Sequence, residues 1–203
     1  MKMTRRDFLK TAMAGVATVL FDPCIASAEL LPGTMPMRAL GSTGEKVSLL
    51  GMGGFHIGLD ATTEDQAVSL VRAALDGGVT FLDNSREYQG GLCEERMGKA
   101  LQNGYRAKAF LMTKNCGHAR DGESAKKSLE ESLKALKTDY LDLWMFHEVI
   151  YDNDPDWIFT RGSLEVALQA KKEGKVRFIG FSGHKLPDIF LDMLARPAPW
   201  DVV

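Results

Sequence analysis

The 203-residue sequence lacks most features that place a chain in a functional class at sight. It has no charge excess of either sign: 25 basic and 27 acidic residues leave a formal net charge of −2. The basic stripe that usually marks a nucleic-acid binder is therefore missing. Cysteine is scarce, with Cys24, Cys93 and Cys116 alone. Their spacing leaves open a disulfide between Cys93 and Cys116 or two separate thiols. There is no low-complexity tract and no repeat of the length used by solenoids or propellers. No G-x-G-x-x-G follows a strand-like run. Gly51-Met52-Gly53-Gly54 is glycine-rich but wrongly spaced, which argues against a Rossmann dinucleotide site.

What is present begins at the amino end. Arg5-Arg6 precedes an apolar stretch from Thr11 to Phe21, and Ala26-Ser27-Ala28 has the small-residue pattern of a cleavage site. The order of charge, apolar run and cleavage site predicts a twin-arginine export signal over residues 1–28. The apolar run is shorter than the roughly 20 residues of a spanning helix. Cleavage would release a chain starting at Glu29, handled by the twin-arginine export machinery and found in the periplasm or otherwise exported. No stable membrane span is expected in the mature chain, residues 29–203.

From Lys46 onward, strand-like and helix-like patterns alternate. Apolar runs predict strands at Val47–Gly51, Val79–Leu82, Ala109–Thr113, Tyr140–Phe146 and Val176–Phe181. Trp200–Val203 looks like the opening of a sixth. Between them, helical spacing predicts helices from Thr63 to Gly77, Leu92 to Leu101, Ser124 to Lys137, Trp157 to Lys172 and Leu186 to Ala195. Such alternation implies a parallel sheet, either doubly wound or closed into a (β/α)8 barrel. The distribution of polar residues favours the barrel. Asp83, Tyr88, Lys114 and His147 each sit at or just after the carboxyl end of a different strand, where barrels build active sites.

These four types also belong together chemically. A phenol has a reference pKa near 10 and donates a proton poorly at neutral pH unless a cation assists. Lys114 supplies a cation, Asp83 a carboxylate to hold it, and His147 a hydrogen-bonding group for a substrate oxygen. His147 beside Glu148 suggests a metal pair, but adjacent strand residues point to opposite faces and the spacing shows no further ligands, so no metal is expected.

The stretches Leu82-Asp83-Asn84-Ser85-Arg86-Glu87-Tyr88, Thr113-Lys114 and Phe146-His147 resemble the aldo-keto reductase family. So do Arg38 to Gly44 with Val47 to Gly54, which look like its amino-terminal hairpin and first barrel strand, and Phe178-Ile179-Gly180-Phe181-Ser182, which looks like its fifth strand. The resemblance implies a nicotinamide cofactor, NADP or NAD, a small-molecule carbonyl substrate, and Tyr88 as proton donor. It places the nicotinamide carboxamide at Ser182. The family commonly has asparagine next, whereas Gly183 and His184 follow here, with His184 either a substitute contact or a solvent-facing side chain. Asn84 and Arg86 also depart from the small residues usual between the aspartate and the tyrosine, which implies a different pocket shape. A barrel takes about 250 residues, so the chain is expected to hold only its amino-terminal portion. Longer members of the branch it looks like carry an iron–sulfur domain at the carboxyl end, a region absent here. Two rivals stand beside the enzyme: a nicotinamide-binding redox sensor or interaction subunit with little turnover, and an inactive fragment.

Overall fold

The computed structural model describes residues 34–203. The expected export signal and Cys24 lie outside them. β1 (Met37–Ala39) and β2 (Lys46–Ser48) come first as an antiparallel hairpin with Met37 opposite Ser48. The apolar run from Val47 to Gly51 predicts one barrel strand, but the structure divides it. Val47 and Ser48 belong to the hairpin, and the first sheet strand is β3 (Gly51–Gly53). Ser48 explains the division. Its hydroxyl donates to the Leu50 carbonyl (2.6 Å) and accepts from the Thr80 amide (2.8 Å), turning the chain within three residues.

β4 (Phe81–Asp83), β5 (Phe110–Asn115), β6 (Leu141–Phe146) and β7 (Val176–Phe181) add to β3 in chain order, every pair parallel. Val202 then bridges Gly180 in parallel, which marks the sixth strand position anticipated near Trp200. The helices α1 (Glu64–Asp76), α2 (Leu92–Ala100), α3 (Gly122–Leu136), α4 (Asp154–Thr160), α5 (Ser163–Lys172) and α6 (Pro187–Ala195) fill the crossovers. Parallel neighbours need such crossovers because a tight turn cannot reverse the chain direction twice.

Local chemistry sets the helix ends. Thr63 caps α1 through a reciprocal box with Gln66, and the Asp121 side chain accepts from the Ser124 amide at the start of α3. The single helix expected from Trp157 to Lys172 is two helices. Gly162 between them has φ 94°, a left-handed conformation that interrupts a right-handed helix. Gly98 matters for another reason: a side chain there would run into the backbone of Ala135 and Leu136, so glycine lets α2 close on α3.

Alternation along the strands separates two apolar layers. Leu111, Trp144, Phe146, Ile179 and Phe181 pack outward with the helices, while Val47, Phe110, Met112, Leu143 and Met145 form the inner cluster. Phe81, Phe110 and Phe178 stack across three strands within that inner layer, at centroid distances of 5.5 and 6.2 Å. The period of two then fixes the rest. Asp83 shares a face with Phe81, Lys114 with Phe110 and Met112, and His147 with Leu143 and Met145. The polar residues therefore cap the inner apolar layer at its carboxyl end.

Candidate active site

Lys114 organises the site. It is buried, 5 % exposed, and its ammonium makes three contacts. It donates to the Asp83 carboxylate, to the Asn84 carbonyl at 2.8 Å and to the Tyr88 hydroxyl at 3.1 Å. A lysine so enclosed requires this set of acceptors, because a buried unpaired charge costs several kcal/mol. Tyr88 reaches the lysine from a short 3-10 turn, Tyr88–Gly91, that follows β4. Its ring packs edge-on against Phe55 (5.4 Å) and against the His147 imidazole (6.0 Å). The phenol oxygen is thus placed by its ring contacts and by Lys114 together. The structure brings Asp83, Tyr88, Lys114 and His147 into one cluster.

His147 is buried, and its Nδ1 faces a second group of residues. The Glu87 carboxylate lies 3.0 Å away, the Ser85 hydroxyl 3.2 Å and the Cys116 sulfur 3.6 Å. Glu87 also meets Nε2 of His118 at 2.6 Å. Burial, then the Lys114 charge, push the His147 pKa below the ordinary histidine value, while Glu87 and Glu148 pull the other way. The Cys116 thiol is pushed up to about 11 by burial, so it is protonated at neutral pH. Both described cysteines are free, so the disulfide alternative does not hold.

Glu87, Cys116 and His118 were not legible as site residues. Glu87 sits next to Tyr88 in sequence and reads as a loop acid. Cys116 and His118 lie in the turn after β5, where no spacing rule points at His147. The expectation that no metal cluster forms rested on the opposed directions of His147 and Glu148 and on the lack of further ligands by spacing. The structure places those two in separate groups of candidate ligands, Glu87–Cys116–His147 and Glu87–His118–Glu148.

The departures at Asn84 and Arg86 imply a changed pocket, but both side chains leave the inner face. Asn84 is fully buried with its amide on the Met97 sulfur (3.4 Å), and Arg86 pairs with Glu94 (3.2 Å) and Glu131 (3.6 Å). They tie the β4 loop to α2 and α3 instead.

Ser182, Gly183 and His184 follow β7. The Ser182 hydroxyl is buried and has no hydrogen-bond partner. An orphaned buried hydroxyl costs free energy unless something else satisfies it. A hydroxyl of this kind is compatible with the amide end of a bound nicotinamide. Gly183 is closely walled, since a side chain there would run into Phe190 and the Val149 carbonyl. His184 does not join Ser182. Its side chain is 67 % exposed and lies 3.7 Å from Glu148.

Comparison with known proteins bears on family and fold. The sequence pattern of the aldo/keto reductase family matches residues 49–203. The chain is 36% identical over 174 residues to an L-galactose dehydrogenase of Arabidopsis thaliana, covering 82% of this chain and 54% of that protein. Among solved structures, an aldo-keto reductase from Bacillus halodurans in its holo form superposes with TM-score 0.69 at 29% identity, over 80% of this chain and 54% of that one. An aldo/keto reductase from Klebsiella pneumoniae in complex with NADP and acetate superposes with TM-score 0.64 at 28% identity, over 74% and 50% of the two chains. The chain spans about half the length of the curated relatives it matches. The parallel strands and crossover helices are those of a (β/α)8 barrel.

Proposed function

The chain belongs to the aldo/keto reductase family, and on that premise we propose that the protein moves a hydride between a nicotinamide cofactor and a carbonyl or alcohol carbon. The observation that carries the reading is Lys114, whose ammonium touches the Asp83 carboxylate, the Asn84 carbonyl and the Tyr88 hydroxyl at once. A bound nicotinamide supplies or takes the hydride. The remaining work falls to this chain's own residues. In the reducing direction Tyr88 gives its proton to the substrate oxygen, and Lys114 stabilises the negative charge left on the phenol oxygen. Asp83 and the Asn84 carbonyl hold the ammonium in place. His147 turns Nδ1 toward Glu87, which leaves Nε2 to meet the substrate oxygen. Ser182 is the contact for the carboxamide, supported by its unpartnered hydroxyl.

NADP is supported as cofactor by the Klebsiella pneumoniae neighbours, solved with NADP and with NADPH. NAD remains the other member of the class. The relative from Arabidopsis thaliana directs the choice of substrate toward small polyhydroxylated aldehydes and their alcohols. We further propose that the protein is exported through the twin-arginine route, on the strength of Arg5-Arg6, the apolar run and Ala26-Ser27-Ala28. Among the described residues no helix is long and apolar enough to cross a membrane.

The test is the nicotinamide absorbance of purified protein mixed with NADPH and small hydroxy-aldehydes, or with NADP and sugars. Substrate-dependent change in either direction is expected. Cofactor binding with no absorbance change across the panel in either direction would overturn the reading.

A further inference from the structure

Three side chains meet beside the tetrad without a role in hydride or proton transfer. Glu87, after β4, and Cys116, after β5, face Nδ1 of His147, after β6, and His118 meets the other oxygen of Glu87. One ligand atom each from Glu87, Cys116 and His147 lies within 4.8 Å of the others, and Glu87, His118 and Glu148 form a second such group through the shared carboxylate. We propose that this cluster binds one divalent cation of the zinc class through Cys116 Sγ, His147 Nδ1 and the Glu87 carboxylate, with His118 holding the other Glu87 oxygen from outside.

The spacing is close to what such an ion requires. Zinc bonds of about 2.3 Å to sulfur and 2.0 Å to nitrogen, at a tetrahedral angle, separate the two ligand atoms by about 3.5 Å. Cys116 Sγ and His147 Nδ1 are 3.6 Å apart. Oxygen and nitrogen ligands need about 3.3 Å, and Glu87 Oε2 is 3.0 Å from His147 Nδ1. The ion therefore fits after a shift of a few tenths of an ångström at Glu87, which is an exposed side chain. Thiolate and imidazole donors select a borderline-soft ion over magnesium or calcium.

Charge and access agree. Glu87, Glu148 and a thiolate offset the two positive charges. A coordinated cation stabilises the thiolate that burial alone disfavours. The nearby cations are already engaged: Lys114 by Asp83, and Arg86 by Glu94 and Glu131. Lys127 stands on the rim and works against the ion. A hollow of about 330 Å³ lined by Cys116, Gly117, His118 and Ser124 borders the cluster. The proposal does not depend on the hydride-transfer reading, and metal binding is measured without substrate or nicotinamide.

The experiment titrates metal-stripped full-length chain with zinc sulfate in a calorimeter, and with cobalt(II) in a spectrophotometer. One zinc per chain is expected, together with a cobalt–thiolate charge-transfer band. Cys116→Ser should remove the band and weaken zinc by about tenfold or more, and Cys93→Ser should change neither. His118→Ala should keep the band and weaken zinc about tenfold. Absence of stoichiometric zinc binding, or a band that persists in Cys116→Ser, would overturn the site. If Cys116→Ser does not fold, the exposed Glu87 decides, because unchanged zinc affinity in Glu87→Gln removes the proposed acid ligand and with it the site.

Discussion

The imidazole of His147 presents Nδ1 to the Glu87 carboxylate at 3.0 Å. A carboxylate only accepts, so while no cation is bound Nδ1 carries the proton. In the neutral ring Nε2 is then an acceptor, suited to the hydroxyl of an alcohol. It becomes a donor, suited to a carbonyl oxygen, only when the ring is protonated. Burial and Lys114 lower the His147 pKa, so the neutral form dominates at pH 7. The affinity for a carbonyl substrate should therefore improve as pH falls below the ordinary histidine range, while affinity for the alcohol worsens. Glu87→Gln should flatten this dependence, because the amide can donate to Nδ1 and let Nε2 hold the proton in the neutral ring. KM for both substrates against pH, in the two metal-stripped proteins, checks this. A carbonyl KM that stays flat with falling pH down to acid unfolding of the unaltered protein would remove the role assigned to the Glu87 contact.

Tyr88→Phe removes one oxygen and keeps the ring against Phe55 and His147. Packing is therefore preserved and proton delivery is lost. A positioned acid contributes about 10²–10⁴-fold, and single-turnover hydride transfer should fall by that order with NADPH affinity nearly unchanged. Transfer at the unaltered rate, with transfer shown to be the slow step, would move the acid to His147 or a bound water.

Much of this site was legible because strand periodicity is a strict rule. Asp83, Lys114 and His147 occupy matching positions after apolar runs, and alternation sends all three to one face whatever the details of the twist. The contacts that modify them were not legible. Glu87 and His118 lie 31 positions apart and meet through loop geometry that no local pattern encodes. The strand boundary at Ser48 was missed for a related reason. Val47 to Gly51 reads as one apolar run, and only the tertiary bond from the Thr80 amide to the Ser48 hydroxyl shows where it bends. Gly162 could have been read from the sequence, since a glycine inside a helical pattern is a known breaker.

Lys114→Met should damage both rate and stability. It leaves the Asp83 carboxylate without its cation and the Asn84 carbonyl without its donor. Asp83 is partly solvated, its side chain 39% exposed, so the stability loss should be moderate, about 1–3 kcal/mol. Urea unfolding measures it. Unchanged stability would mean that water replaces Lys114 without penalty.

The amino end yields a separate prediction. If Arg5-Arg6 and Ala26-Ser27-Ala28 form an export signal, the periplasmic product begins at Glu29. Amino-terminal sequencing of the periplasmic fraction checks this. Replacing both arginines with lysine should leave the full-length chain in the cytoplasm. Retention of Met1 by the native protein, with no periplasmic pool, would end the export reading.

Ser182→Ala separates a binding role from a structural one. The Ser182 hydroxyl is buried without a partner, so the folded apoprotein gains nothing from it. Removing an unsatisfied buried hydroxyl should leave the unfolding free energy unchanged or slightly raised. If the hydroxyl is held for the nicotinamide carboxamide, the same substitution should weaken cofactor affinity. One hydrogen bond worth about 1–1.5 kcal/mol corresponds to roughly five- to tenfold in Kd. NADPH fluorescence titration and urea unfolding, run on the same two proteins, give both numbers. Weakened cofactor binding with intact stability is the expected pair. Unchanged binding would mean that the carboxamide is held elsewhere after β7.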